Sequence, residues 1–408
     1  MMGRSIVGQR PTWALIAVAV LVAACGGGGA TPGMGGGSPA PGSTTGSVAP
    51  ASGEPSAAAT GTPAAEPSEP PTGEPSEGPT AEPTPGEGEF ANPVIDDDFP
   101  DPHVINVDGT YYAYATTGGG KNLQAAISED LVEWEMLIDP LPKLASWSGP
   151  TPLFSDTPHK ATWAPAAAQV GDRFILYYTT PALDMERPDG RPSQCIGVAV
   201  ADSPEGPFVD ESEEPIVCQS EVGGSIDSTW FRDEDGTQYL VWKNDGNCCG
   251  IETRFYIQEL TEDGLELVGE PTDMGVSNDT MWERNVIEAP TLIARDGTYY
   301  LFFSGNDFGS AAYAVGYATS QDVLGPYVDA EENPIVATVA PVGGPGHQSV
   351  VEDENGDLWM TYHAWDVANI GYQNGGRRAV WIDRLIIEDG TATVEGPTAG
   401  PQPAPEAP

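Results

Sequence analysis

Positive charge is scarce in this chain: Lys and Arg together number 16 against 61 Asp and Glu, a formal net charge of -45 over 408 residues. Such an acidic polymer repels phosphate backbones and anionic headgroups, which argues against nucleic acid or an anionic lipid surface as a partner and is compatible with an uncharged one. Cysteine is scarce too, at five residues. The adjacent pair Cys248 and Cys249 has no Cys-x-x-Cys companion, so a zinc centre has no signal. No apolar run is long enough to span a bilayer, the longest candidate being residues 13–24. A sustained helical period is also missing, which leaves strands as the building material.

The N-terminal part is rich in what does not fold. Arg4 and Arg10 precede the run over 13–24, which ends in Leu21-Val22-Ala23-Ala24-Cys25, the layout of a secretory signal with a small-residue cleavage site. It resembles the lipobox of bacterial lipoproteins. That resemblance implies a signal peptide over 1–24, lipid attachment at Cys25, and an exported protein held on the extracellular face of the cell membrane by its lipid alone. Residues 25–90 are dominated by Gly, Ser, Thr, Pro, Ala and Glu with almost no large apolar residue, so this linker cannot offset its ordering entropy and is expected to be a disordered tether. The remainder with the composition to fold is 91–396, and 397–408 reads as a short frayed tail. Export permits disulfides. Cys195 and Cys218 flank a strand–turn–strand pattern and are expected to bridge, while the partners of Cys248 and Cys249 stay open. A monomer is expected.

Within 91–396 five stretches say nearly the same thing. They start at Asp101 (DPHVINVDGTYYAY), Trp163 (WAPAAAQVGDRFILYY), Ile226 (IDSTWFRDEDGTQYLVW), Ile287 (IEAPTLIARDGTYYLFF) and Gly346 (GHQSVVEDENGDLWMTY). Their turn glycines, Gly109, Gly171, Gly236, Gly297 and Gly356, recur about every 60 residues, the mark of a repeat architecture. Each unit reads as a short apolar strand, a tight turn, an aromatic strand, a third strand and a variable fourth. Four antiparallel strands repeated five times give an all-β, five-bladed β-propeller.

Asp101, Asp227 and Glu288 stand at the start of the innermost strands of blades one, three and four, with Thr162 and His347 in the matching places of blades two and five. An isolated acid there is most simply a turn residue. Three acids converging on one channel mouth suit glycosidic bond cleavage by inversion, in which one carboxylate activates water and a protonated second carboxyl serves the leaving oxygen. A third carboxylate beside the acid raises its pKa by like-charge repulsion.

The segments Asn92-Pro93-Val94, Phe99-Pro100-Asp101-Pro102, Trp163-Ala164-Pro165, Gly224-Ser225-Ile226-Asp227, Val286-Ile287-Glu288-Ala289-Pro290 and Gly346-His347 resemble glycoside hydrolase family 43 across the whole of 91 to about 400. The resemblance implies an inverting glycosidase with Asp101 as general base, Glu288 as general acid and Asp227 as pKa modulator. It implies α-L-arabinofuranosyl or β-D-xylosyl linkages in arabinan, arabinoxylan or xylan as substrate. No cofactor is required, and a calcium or sodium ion in the central channel, held by His347 through water, is implied as an option. Weaker assignments to substrate binding are Trp163 by stacking, His347, Arg377 or Arg378 by their forked donors, and Asn306 with Asp307 and Trp282 as cleft walls. One departure is Ala166, where the family often carries an acid after Trp-Ala-Pro. The alternatives are a propeller that binds polysaccharide without cleaving it, and a glycosidase of a related five-bladed family, whose Asn-Asp-Pro and Glu-Cys motifs are absent.

Overall fold

Neighbouring blades share their cores, and that sharing is what makes the repeats one body. The computed structural model describes residues 84–149, 161–278, 280–284 and 286–407. The signal segment 1–24, Cys25 and the linker up to residue 83 lie outside the described residues.

A short strand β1 (Glu89–Phe90) precedes blade one, which is β2 (His103–Val107), β3 (Thr110–Ala115), β4 (Gln124–Ser128) and β5 (Glu135–Met136). Blade two is β6 (Trp163–Val170), β7 (Arg173–Glu186) and β8 (Pro192–Ala201). Blade three is β9 (Ser225–Arg232), β10 (Gln238–Asn244), β11 (Arg254–Leu260) and β12 (Leu267–Ser277). Blade four is β13 (Ile287–Arg295), β14 (Thr298–Gly305), β15 (Ala314–Ser320) and β16 (Val328–Asp329). Blade five is β17 (Val342–Glu352), β18 (Leu358–Asp366), β19 (Ala379–Glu388) and β20 (Thr391–Val394), and the chain finishes in β21 (Gln402–Pro403). Within each blade consecutive strands pair antiparallel in chain order, so the five-bladed propeller read from the repeats is the observed fold, with three described strands in blade two where four were expected.

The second strand of a blade is buried on both faces because it lies between two other blades, which explains why β3 and β18 read as nearly continuous apolar runs rather than alternating ones. Five clusters fill the five seams. Tyr114 and Leu176 join blades one and two, Tyr177 and Trp242 two and three, Phe255 and Phe303 three and four, Phe302 and Tyr362 four and five, and Tyr111 and Ile382 close five onto one. Each such side chain contributes about 1.5–3 kcal/mol on burial, so seam packing outweighs hairpin propensity in holding the ring.

The innermost strands of four blades carry one extra residue near their start. Ile226 pairs with Lys243 and Thr229 with Val241, three steps against two, and the same offset recurs from Trp163 to Ala166, from Glu288 to Thr291 and from Gly346 to Ser349. The residue after the first of these adopts positive φ in each case: Ala164, Asp227, Ala289 and His347, with Asp101 the counterpart in blade one. These are β-bulges, which bend a strand end and re-aim its side chains. They correct the expected register. Ala164, not Thr162, matches Asp101, and Glu288 stands one residue ahead of that ring, level with Trp163.

Ring closure corrects the expected tail. The segment before blade one runs along β19, with Val94 N–H donating to Val380 carbonyl at 2.9 Å and Asn92 bonding both main-chain groups of Ile382. Residues 397–407 are not frayed: β21 pairs with β1, Ala404 N–H donates to Gly88, and buried Gln402 donates to Asp383. The folded body therefore takes in Glu89 and Phe90 of the expected linker as well. Cys195 is bonded to Cys218, in line with the strand–turn–strand reading, and Cys248 is bonded to Cys249.

Candidate active site

Asp101 sits two residues before β2, at the positive-φ position that opens blade one, with both carboxylate oxygens anchored. Oδ2 accepts from Thr116 Oγ1 at 2.5 Å, and Thr116 in turn accepts from Ala164 N–H at the start of blade two. Oδ1 lies 2.8 Å from Arg378 Nη1 and 3.3 Å from His347 Nδ1. Burial opposes ionisation, yet Arg378 and His347 outweigh it and hold the carboxyl well below its ordinary value. Arg378 is itself caged: its guanidinium lies 5.0 Å from the Phe308 ring, 5.5 Å from Tyr372 and 6.0 Å from Trp365, and Nε donates to Tyr372 Oη. His363, on β18, accepts the Asp101 backbone N–H at its Nδ1, and burial drives it down to about 3, so this ring is neutral.

Glu288 is built from the other side of the channel. Its Oε1 accepts from Tyr313 Oη at 2.6 Å and Oε2 lies 3.6 Å from Lys243 Nζ. Burial raises its pKa, Lys243 pulls against that, and the Asp227 carboxylate raises it further. Asp227 is fixed at its own bulge by accepting the Ala289 N–H at 3.1 Å, so the residue beside the acid is anchored by the strand that carries the acid. Gly346 has its place because of Tyr313: a Cβ there would stand 2.1 Å from the tyrosine ring.

Of the residues expected from sequence, Asp101, Asp227 and His347 line one chamber of the channel, together with Ala164, Thr291 and Gln348. Glu288, Asn306 and Asp307 line the adjoining cleft of about 400 Å³ with Asn247, Arg284 and Phe308. Trp163 stands half-buried at the start of β6. Arg378 reaches Asp101 rather than Asp227. Arg377 does not enter the site; it pairs with Asp96 on the surface, while Arg378 beside it in the segment before β19 turns to Asp101. Trp282 does not wall the cleft either: its indole stacks on Phe303 at 5.4 Å and fills the space that a Cβ on Gly305 or Gly316 would take. Lys243, Tyr313 and His363 escaped the sequence reading. Tyr313 and His363 look like ordinary core residues, whereas Lys243, one of four lysines and set in the apolar run Leu240-Val241-Trp242, carried a usable signal.

The described residues offer no group of three or more His, Cys, Asp or Glu side chains suited to a cation. His347 Nδ1 is turned to Asp101. A calcium or sodium ion held by His347 through water would have to be reached from the other ring nitrogen, Nε2, and the chemistry below uses none.

A propeller channel that sets one carboxyl held ionised against another held toward its protonated form defines a glycoside hydrolase of the acid–base type. The chain belongs to glycosyl hydrolases family 43, whose sequence profile matches residues 90–392. It is 26% identical over 322 residues to the beta-D-galactofuranosidase xynD of Aspergillus niger, covering 73% of this chain and 82% of that one. It is 28% identical over 286 residues to a beta-xylosidase of Bacillus subtilis, covering 67% of this chain but 49% of the relative, so it spans about half that protein's length. The crystal structure of a thermostable family-43 glycoside hydrolase superposes with a TM-score of 0.67 at 31% identity, over 78% of this chain and 100% of the other. The family's acid–base chemistry is supplied by protein side chains and calls for no cofactor.

Proposed function

We propose that the chain cleaves α-L-arabinofuranosyl or β-D-xylosyl linkages in plant polysaccharides with inversion, from the outside of a cell to which Cys25 anchors it. The observation that carries the catalytic part is the opposite treatment of two carboxyls, Asp101 bound by Arg378 and Glu288 buried beside Asp227. Asp101 takes a proton from water as the water oxygen attacks the anomeric carbon. Glu288 gives its proton to the glycosidic oxygen as the C–O bond breaks and the bonding pair stays on that oxygen. Asp227 keeps Glu288 protonated until then. The beta-xylosidase and the endo-alpha-(1->5)-L-arabinanase 2 of Bacillus subtilis, 26% identical over 69% of this chain and 61% of its own, support the pentose linkages.

The galactofuranosidase likeness favours a second reading, a β-D-galactofuranosyl substrate, whose ring shares its configuration with α-L-arabinofuranose. Turnover of the 4-nitrophenyl glycosides of α-L-arabinofuranose, β-D-xylose and β-D-galactofuranose, with debranched arabinan alongside, separates these. Activity on the galactofuranoside alone sinks the pentose reading. A retained product anomer by NMR sinks the role given to Asp101.

A further inference from the structure

Lysine is the residue least often buried, yet Lys243 is fully buried, with 0% of its side chain exposed. It ends the apolar face of β10 opposite Ile226, directly across from the bulge that presents Asp227. Its ammonium has two neighbours: Asn247 Oδ1 at 3.1 Å and Glu288 Oε2 at 3.6 Å. Asn247 lies in the turn Gly246–Cys248, closed by the Cys248–Cys249 bond, and lines the same cleft as Glu288. Behind the lysine, Asp245 is bound by Arg187 from the turn after β7 at 3.3 Å. The charge is thus held in place between two carboxylates, Asp245 behind it and Glu288 in the cleft, and Glu288 is the one it meets at 3.6 Å.

We propose that Lys243 is a positioning residue for Glu288: its fixed ammonium sets the direction of the carboxyl and stabilises the carboxylate that remains once the proton has passed to the leaving oxygen. This rests on the acid role given to Glu288 above. The two charges around Glu288 act at different moments. Asp227 favours the protonated carboxyl before the bond breaks, and Lys243 favours the carboxylate that the breaking bond produces, so the pair makes the proton both available and easy to give up. Aromatic leaving groups need little help from an acid, whereas a sugar alkoxide needs a great deal, so Lys243 matters most for natural linkages. The other groups facing Glu288 are Asp227 on β9, Asp245 after β10, Arg284 before β13, Tyr313 before β15 and His347 on β17; none of the cations among these is buried against it as Lys243 is.

The test compares wild type, Lys243→Met, Lys243→Gln and Glu288→Gln on xylobiose or 1,5-α-arabinobiose and on the matching 4-nitrophenyl glycoside, across pH, with circular dichroism to confirm folding. Loss of the positive charge is expected to lower kcat/KM on the disaccharide by roughly 10²-fold while costing the aryl glycoside far less. The basic limb of the pH profile is expected to move up by about one unit, because Glu288 without Lys243 releases its proton less readily. A purely structural lysine moves neither the limb nor the leaving-group ratio. Folded variants with the wild-type limb, or equal losses on both substrates, overturn the inference alone; so does failure of both variants to fold, which makes Lys243 a folding determinant. A wild type without turnover on these pentosides and on 4-nitrophenyl β-D-galactofuranoside alike, or Glu288→Gln as active as wild type on the disaccharide, overturns the catalytic reading and this inference with it.

Discussion

Arg378 Nη1 lies 2.8 Å from Asp101 Oδ1, although 277 residues separate them, and this pair joins the last blade to the first at the channel mouth. The contact makes the proposed base and the closure of the ring one feature. Removing the guanidinium in Arg378→Gln is expected to raise the Asp101 pKa, since the charged carboxylate loses its main partner. The acidic limb of kcat/KM then moves to higher pH by about 1–3 units, and kcat at neutral pH falls. A pH–rate profile of the folded variant checks this, and an unmoved acidic limb means Asp101 is not the base.

Asp101→Asn and Glu288→Gln are expected to differ in kind. The first removes the group proposed to take the water proton and is expected to lower kcat on every substrate by roughly 10²–10⁴-fold. The second is expected to spare substrates with good leaving groups, because an aryl oxide departs without a proton. Steady-state rates on a disaccharide and on its 4-nitrophenyl analogue measure the difference.

Gly346→Ala is expected to cost about 1–3 kcal/mol in stability, because the new methyl would meet the Tyr313 ring, which is wholly buried and has nowhere to retreat. Tyr313 Oη would be displaced from Glu288, so activity is expected to fall by more than the loss of folded protein explains. Chemical denaturation together with rates measured well below the unfolding transition separates the two effects.

Asp383 ties the closing tail to blade five through Tyr362, Thr398 and Gln402. Burial pushes its carboxyl up to about 6 from an ordinary 3.8. The folded chain therefore holds this proton more tightly than the unfolded one: stability from this group rises as pH falls from 6 toward 4, and ionisation costs up to about 3 kcal/mol above pH 6. Thermal unfolding of wild type against Asp383→Asn is expected to show the wild type gaining on the variant between pH 7 and 5. A gap that is constant with pH means that Asp383 does not titrate in this range.

Much of the site was legible because its acids sit in local motifs repeated from blade to blade. Asp101, Asp227, Glu288 and His347 could be aligned by eye, and the fold followed from the spacing of the turn glycines. The register of Glu288 was not legible, because a bulge inserts its extra residue without changing the composition around it. Arg377 and Trp282 are close in sequence to Arg378 and Glu288, but the two arginines ahead of β19 turn to different carboxylates and an indole goes where glycines leave room. The tail was misread because its polar, proline-rich composition is that of a frayed end. Its order comes from pairing with β1, some 300 residues earlier.

By itself the sequence determined the strands, the number of blades and the identities of three carboxyls, since these depend on patterns of a few residues. Only the tertiary structure decided which carboxyl is pushed toward its ionised form and which toward its protonated form. That choice depends on Arg378, Lys243 and Tyr313, which reach Asp101 and Glu288 from other strands and loops of the ring. Charge acts through space, and the sequence does not say which distant cation or hydroxyl will stand within a few ångströms of an acid.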